Sequence, residues 1–140
     1  MNGLCLEDLA VGQSAELTRR VRAEDLVTFA EVTGDDNPVH LDEAYAETTR
    51  FGGRIAHGML AGGYISAVIG TKLPGAGVIY VSQSLRFRRP VRIGDEVTAK
   101  VVVTALDEAR ARVSLSTICL VDGKEVVAGE AEVLVPRRGA

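Results

Sequence analysis

The second half of the chain most narrows what it can become. Four long runs, Gly77 to Phe87, Glu96 to Leu106, Ala111 to Val121 and Glu125 to Val135, are rich in valine, isoleucine and threonine and alternate apolar with polar residues. Branched side chains fit a pleated surface, and a period of two sends successive side chains to opposite faces, so each run reads as a strand burying one side. Val97, Ala99, Val101 and Val103 share one face; Val113, Leu115 and Thr117 face away from Arg112, Ser114 and Ser116. Asp122-Gly123, between the last two runs, is a strong two-residue hairpin signal that makes that pair antiparallel.

The first half reads differently. Gln13 to Val21 alternates as a first strand, and Ala23, Glu24 and Asp25 then open a helix carrying Leu26, Val27, Phe29, Ala30 and Val32 at helical spacing until Thr33-Gly34. Asp35 to Leu41 is expected to be a loop, because Pro38 fixes its own φ and pushes Asn37 out of the α region. A short helix, about Asp42 to Thr48, follows. From Gly58 to Leu73 apolar and small residues fall on every face, the pattern of a helix surrounded by protein, and Gly62, Gly63, Ala67 and Gly70 would let a sheet approach closely. Pro74-Gly75 ends it. Helices first and strands second point to α+β, one antiparallel sheet around one buried helix. With 140 residues, no repeat and no linker composition, residues 1–140 read as one domain.

Sixteen basic against 19 acidic residues leave a net charge of −3, so no global positive field exists to hold nucleic acid or an anionic membrane. The stretch from Ile55 to Leu73 holds His57, Ser66, Thr71 and Lys72 and does not read as a membrane span. Cys5 and Cys119 lie far apart, and the start lacks a basic then apolar leader pattern, so a cytoplasmic protein with free thiols is expected, Cys119 being core.

Chemistry concentrates in Gly34-Asp35-Asp36-Asn37-Pro38-Val39-His40. A stiff loop carrying a carboxylate and an imidazole can hold both on one water, the arrangement that proton transfer near neutral pH needs. The plainer alternative makes Asp35 and Asn37 turn and capping residues and His40 a polar group bonded to backbone. His40-Leu41-Asp42 is also like half of a two-histidine, one-carboxylate metal site, but only His57 is available to complete it and no cysteine cluster exists, so no metal is expected.

The segment Phe29 to His40, FAEVTGDDNPVH, with Ala46 six places later, resembles the hydratase-2 motif of R-specific enoyl-CoA hydratases, in the MaoC-like group of hot-dog proteins. The likeness continues through Phe51-Gly52-Gly53-Arg54-Ile55-Ala56-His57-Gly58-Met59-Leu60 and Phe87-Arg88-Arg89-Pro90-Val91 with Gly94-Asp95, covering about Leu17 to Val135. It implies a hot-dog fold, a homodimer or dimer of dimers, and an acyl-thioester pocket at the subunit interface. It also implies reversible syn hydration of trans-2-enoyl-CoA to (R)-3-hydroxyacyl-CoA. Asp35 and His40 would be the catalytic pair, Asn37 and Pro38 would support the motif, and Ser66 on the central helix would assist. The substrate would be an acyl-CoA or an acyl-carrier-protein thioester, with no separate cofactor because CoA is part of the substrate; polyhydroxyalkanoate supply is one of several pathways using the step.

Such a hydration drives negative charge onto the thioester oxygen, which preorganised donors must meet. The free N–H of Gly58, at the start of a helix, is the expected contact; the alternative is that Gly58 only relieves crowding. His57 is expected to orient this turn rather than exchange protons. Arg86, Arg88 and Arg89, with Arg92, form a basic cluster that either grips CoA phosphates or forms a solvated strand end paired with Asp95 and Glu96. Two other functions fit the same resemblance, an acyl-CoA thioesterase and an acyl-thioester-binding subunit of a heteromeric dehydratase. The filled Asp35 and His40 positions favour hydration.

Overall fold

The computed structural model describes residues 3–139. After a 3-10 turn at Leu6–Asp8 come β1 (Ser14–Arg20), α1 (Ala23–Thr33), α2 (Pro38–Leu41), α3 (Glu43–Glu47) and α4 (Gly58–Thr71). The strand half follows as β2 (Ile79–Gln83), β3 (Arg86–Phe87), β4 (Glu96–Asp107), β5 (Arg112–Val121) and β6 (Lys124–Leu134). The strands form one sheet in the order β1-β4-β5-β6-β2, with β3 also beside β6, and every pairing is antiparallel. Asp122 and Gly123 both take positive φ, 51° and 75°, as the tight β5–β6 hairpin requires.

The alternation does what it implies. Val97, Ala99, Val101 and Val103 of β4 and Val113, Leu115, Thr117 and Cys119 of β5 are buried, and α4 packs on this face through Ala61, Ile65, Val68 and Ile69. The Cys119 thiol lies 3.5 Å from the Ala61 carbonyl oxygen, and burial raises its pKa to about 12, so it is inert core. At the far end of α4, Lys72 Nζ donates to the Glu16 carbonyl of β1 at 2.8 Å.

Three local expectations change. Positions 61, 65, 68 and 69 define the sheet-facing stripe at helical spacing; Gly63 and Gly70 border open space, and Met59, Gly63 and Ser66 are exposed in the single chain, whereas at Gly62 the expected close approach holds, a β-carbon there lying 3.0 Å from Leu85 Cδ1 between β2 and β3. The segment from Gly77 to Phe87 is two strands, because the chain leaves the ladder at Ser84-Leu85 and crosses tightly over β6. A β-carbon at Gly129 would overlap the Ser84 carbonyl oxygen, and Ser84 N–H donates to the Glu130 carbonyl at 2.8 Å. Residues 35–41 are not all loop: proline at the first helical position, capped by Asn37, nucleates the single turn α2. Among the described residues, no helix is long and apolar enough to cross a membrane.

Candidate active site

The carboxylate and the first imidazole owe their places to a relay of short polar contacts. Helix α1 ends at Gly34, whose φ of 82° lies where only glycine is unstrained. Thr33 Oγ1 donates to the Phe29 carbonyl at 2.7 Å and accepts from Asp35 N–H at 3.1 Å. Asp35 Oδ1 accepts from Asn37 N–H at 3.4 Å, and Asn37 Oδ1 accepts from Val39 N–H at 3.2 Å, capping α2. The turn-and-cap reading of Asp35 and Asn37 is therefore correct, and the same contacts aim the groups that could do chemistry.

His40 is buried, 8% exposed, and its Nδ1 lies 2.7 Å from the Ile55 carbonyl oxygen. A carbonyl can only accept, so Nδ1 carries the proton and Nε2 is left bare as an acceptor. Arg54 Nε donates to the His40 carbonyl at 2.7 Å and holds the backbone beneath the ring. Burial pushes the His40 pKa below the ordinary imidazole value, against the raising pull of the Ile55 carbonyl and Asp35, with His57 adding to the fall.

His57 precedes α4 and is 2% exposed. Its Nε2 donates to the Asp35 carbonyl at 2.9 Å, its ring stacks on His40 with centroids 3.9 Å apart, and Phe29 of α1 lies 4.5 Å from it. One ligand atom from each of Asp35, His40 and His57 falls within 4.8 Å of the others. Asp42 is not part of this group; it caps α3 by accepting from Tyr45 N–H at 3.0 Å. One nitrogen of each ring is committed to a backbone carbonyl, and the second nitrogen of His57 is sealed from solvent. That donor set suits proton handling better than a cation.

A cavity of about 280 Å³ opens beside this cluster. His40, His57 and Gly58 form its polar wall, while Leu60, Tyr64, Phe87, Val97 and Val127 supply an apolar one. Arg50, Arg88 and Arg89, all exposed, mark its open side. Asp35 sits on the exposed loop next to this wall. The Gly58 N–H has no acceptor among the described residues, and a β-carbon there would come within 2.8 Å of the Phe87 ring. Gly58 thus leaves an unpaired donor at a point where any larger residue would crowd Phe87.

Not every expected residue converges. Ser66 is exposed two turns along α4 from Gly58, does not line the cavity and makes no hydrogen bond to Asp35 or His40 within one chain. Arg86 does not line the cavity that Arg88 and Arg89 reach. The strand-end pairing also differs from expectation: Arg88 meets Glu125 at 3.9 Å, Glu96 pairs with Arg20 at 3.1 Å, and Asp95 accepts from the backbone N–H of Arg92. Arg50, Phe87 and the Ile55 carbonyl are additions to the site: Ile55 and Phe87 carried a signal only as part of the family resemblance, and Arg50 carried none.

Comparison with known proteins gives one consistent outcome. The family model described as "MaoC like domain" matches residues 8–123. The chain is 55% identical over 133 residues to an (R)-specific enoyl-CoA hydratase of Rhodospirillum rubrum, covering 95% of this chain and 92% of that protein. It is 51% identical over 135 residues to a 3-hydroxybutyryl-CoA dehydratase of Methylorubrum extorquens, covering 96% and 86%. Among solved structures, an unliganded R-hydratase of Pseudomonas aeruginosa superposes with a TM-score of 0.92 at 49% identity, over 97% of this chain and 88% of that one. An (R)-hydratase of Aeromonas caviae involved in PHA biosynthesis gives 0.90 at 46% identity, over 93% and 99%.

Proposed function

The chain belongs to the MaoC-like family, with its hot-dog fold, and from that premise we propose that it is an (R)-specific enoyl-CoA hydratase, a hydro-lyase acting on acyl-CoA thioesters. The observation that carries this reading to particular residues is the His40 ring, its Nδ1 committed to the Ile55 carbonyl and its Nε2 left bare, clustered with the Asp35 carboxylate and lining one cavity with Gly58. Water bound by Asp35 and His40 gives up one proton to the pair as its oxygen attacks C3 of the trans-2-enoyl thioester. The π electrons move onto the thioester oxygen, where Gly58 N–H meets the developing enolate. The pair returns a proton to C2 as the carbonyl re-forms, so H and OH arrive on one face. Atoms and charge balance with water alone, and CoA enters as part of the substrate.

The apolar wall of Leu60, Phe87 and Val127 receives the acyl chain, and Arg50, Arg88 and Arg89 meet the CoA phosphates. We further propose a homodimer. The exposed face of α4, with Met59 and Ser66, and the exposed Ile79, Tyr80 and Val81 of β2 leave apolar surface that a second copy would cover. Any part Ser66 takes in the reaction is then taken at that interface. A cytoplasmic setting keeps the Cys5 and Cys119 thiols reduced.

Incubation with crotonyl-CoA tests the reading. Loss of enoyl absorbance without release of free thiol supports hydration; thiol release would make the protein a thioesterase, and binding without turnover until a second polypeptide is added would make it a subunit of a heteromeric dehydratase.

A further inference from the structure

We propose that His57 is a positioning residue for the hydration, its imidazole holding Asp35 and His40 in one shared geometry; this rests on the hydratase reading above. The ring touches everything the reaction needs held still. Through Nε2–H it ties down the backbone of Asp35 at 2.9 Å, and through its face it fixes the plane of the His40 ring, centroids 3.9 Å apart and 29° between planes. The Ile55 carbonyl pins only one atom of His40, which leaves the ring free to pivot about that bond; stacking removes this freedom and so sets where the bare Nε2 points. The backbone of His57 also leads directly into Gly58, so one residue links both members of the pair to the proposed oxyanion donor.

Packing alone does not account for an imidazole at this place. His57 Nδ1 is fully buried and has no hydrogen-bond partner among the described residues, a state that costs stability. A phenyl ring would fill the same space between Phe29 and His40 without stranding an acceptor. What the imidazole adds over a phenyl ring is the Nε2–H donor, and its target is the peptide that carries the proposed catalytic carboxylate. The Asp35 carbonyl can only accept, so the tautomer is assigned: proton on Nε2, lone pair on the sealed Nδ1. The charged groups facing this assembly are Asp35 from the loop, Arg50 from the segment after α3, Arg88 and Arg89 from the segment after β3, and Arg54, which donates to the His40 backbone.

Two substitutions in the full-length protein separate donor from ring. His57→Phe keeps a stacked ring and removes the donor: kcat for crotonyl-CoA should fall about 100-fold, as expected for a shift on the order of 1 Å in a catalytic group, with KM little changed. His57→Gln keeps an amide N–H and removes the ring: it should recover part of the kcat lost in His57→Phe, because the donor to the Asp35 carbonyl is restored. A folded His57→Phe protein with wild-type kcat, or a His57→Gln protein no better than His57→Phe, would overturn the proposal. Should that variant not fold, imidazole ¹⁵N NMR of the wild-type protein decides: the Nε2–H tautomer is expected for His57 and Nδ1–H for His40, and an Nδ1–H tautomer at His57 refutes the tether. Absence of crotonyl-CoA hydration by the wild type would count against the hydratase reading itself, while the NMR tautomers still judge the Asp35 tether.

Discussion

His40 Nδ1 and the Ile55 carbonyl oxygen are 2.7 Å apart, a contact that assigns the proton to one ring nitrogen and the lone pair to the other. The bare nitrogen is useful only while the ring is uncharged. Burial lowers the pKa of His40, so the acidic limb of kcat should have its midpoint below the ordinary imidazole value of about 6.5. The linked stability has the same sign. The unfolded imidazole gains its proton first as pH falls, so His40 makes the fold less stable on descending from about 6.5 toward its own lower value. A kcat profile measured across this range checks the limb; a midpoint above about 6.5 would contradict the buried, neutral assignment.

Asp35→Asn and His40→Gln each remove one partner of the proposed proton-exchanging pair while nearly preserving shape. Steady-state hydration of crotonyl-CoA should fall by about 10²- to 10⁴-fold in each. The double variant should be little worse than the poorer single one, because the two groups act on one water. Near-normal turnover in either single variant would take that residue out of the mechanism.

Gly58→Ala places a methyl within 2.8 Å of the Phe87 ring, forcing the ring to swing or the start of α4 to retreat from the cavity. Loss of one oxyanion donor costs on the order of 10²-fold in kcat. Trimming the obstacle in Gly58→Ala/Phe87→Ala should restore part of it. If the double variant is no better than the single one, crowding against Phe87 is not the cause.

Asn37→Ala removes the side-chain cap of α2, the one turn that presents His40. A thermal or denaturant melt should show a loss of about 1 kcal/mol. Because Ile55 and Arg54 still hold the His40 ring and backbone, kcat should fall far less than in His40→Gln.

Gly129→Ala attacks the fold at its tightest crossing, where β6 passes under Ser84. Backbone cannot yield as a side-chain tip can, so destabilisation of about 3 kcal/mol or more is expected, the range of severe overpacking. A melt unchanged from wild type would show that the β2–β3 step accommodates a β-carbon.

Strands and the long helix were legible because each rule they obey is local. Val97, Ala99, Val101 and Val103 announce a buried strand face without reference to any partner, and Asp122-Gly123 announces its own turn. The break at Ser84-Leu85 was hidden, since the cause lies in Gly129, far along the chain. Gly63 and Gly70 of α4 misled for the same reason: a small side chain permits a close approach without saying which face of the helix receives one. At the site, Asp35 and His40 could be read from their motif, and Gly58 from its place at the start of a helix. The Ile55 carbonyl could not, because a backbone acceptor carries no signature in residue identity. Arg50 and Phe87 reach the cavity only through tertiary packing.

The polar and apolar walls of the cavity have different origins in the chain. His40, His57 and Gly58, with Asp35 beside them, come from one continuous stretch, whereas Val97 and Val127 belong to strands made much later in the polypeptide. The proposed reactive machinery is therefore a compact cassette seated on a separately specified floor. Resizing side chains on that floor should change which thioester tails are admitted while leaving the bond-making apparatus intact, so selectivity and chemistry can be tuned by different sets of substitutions.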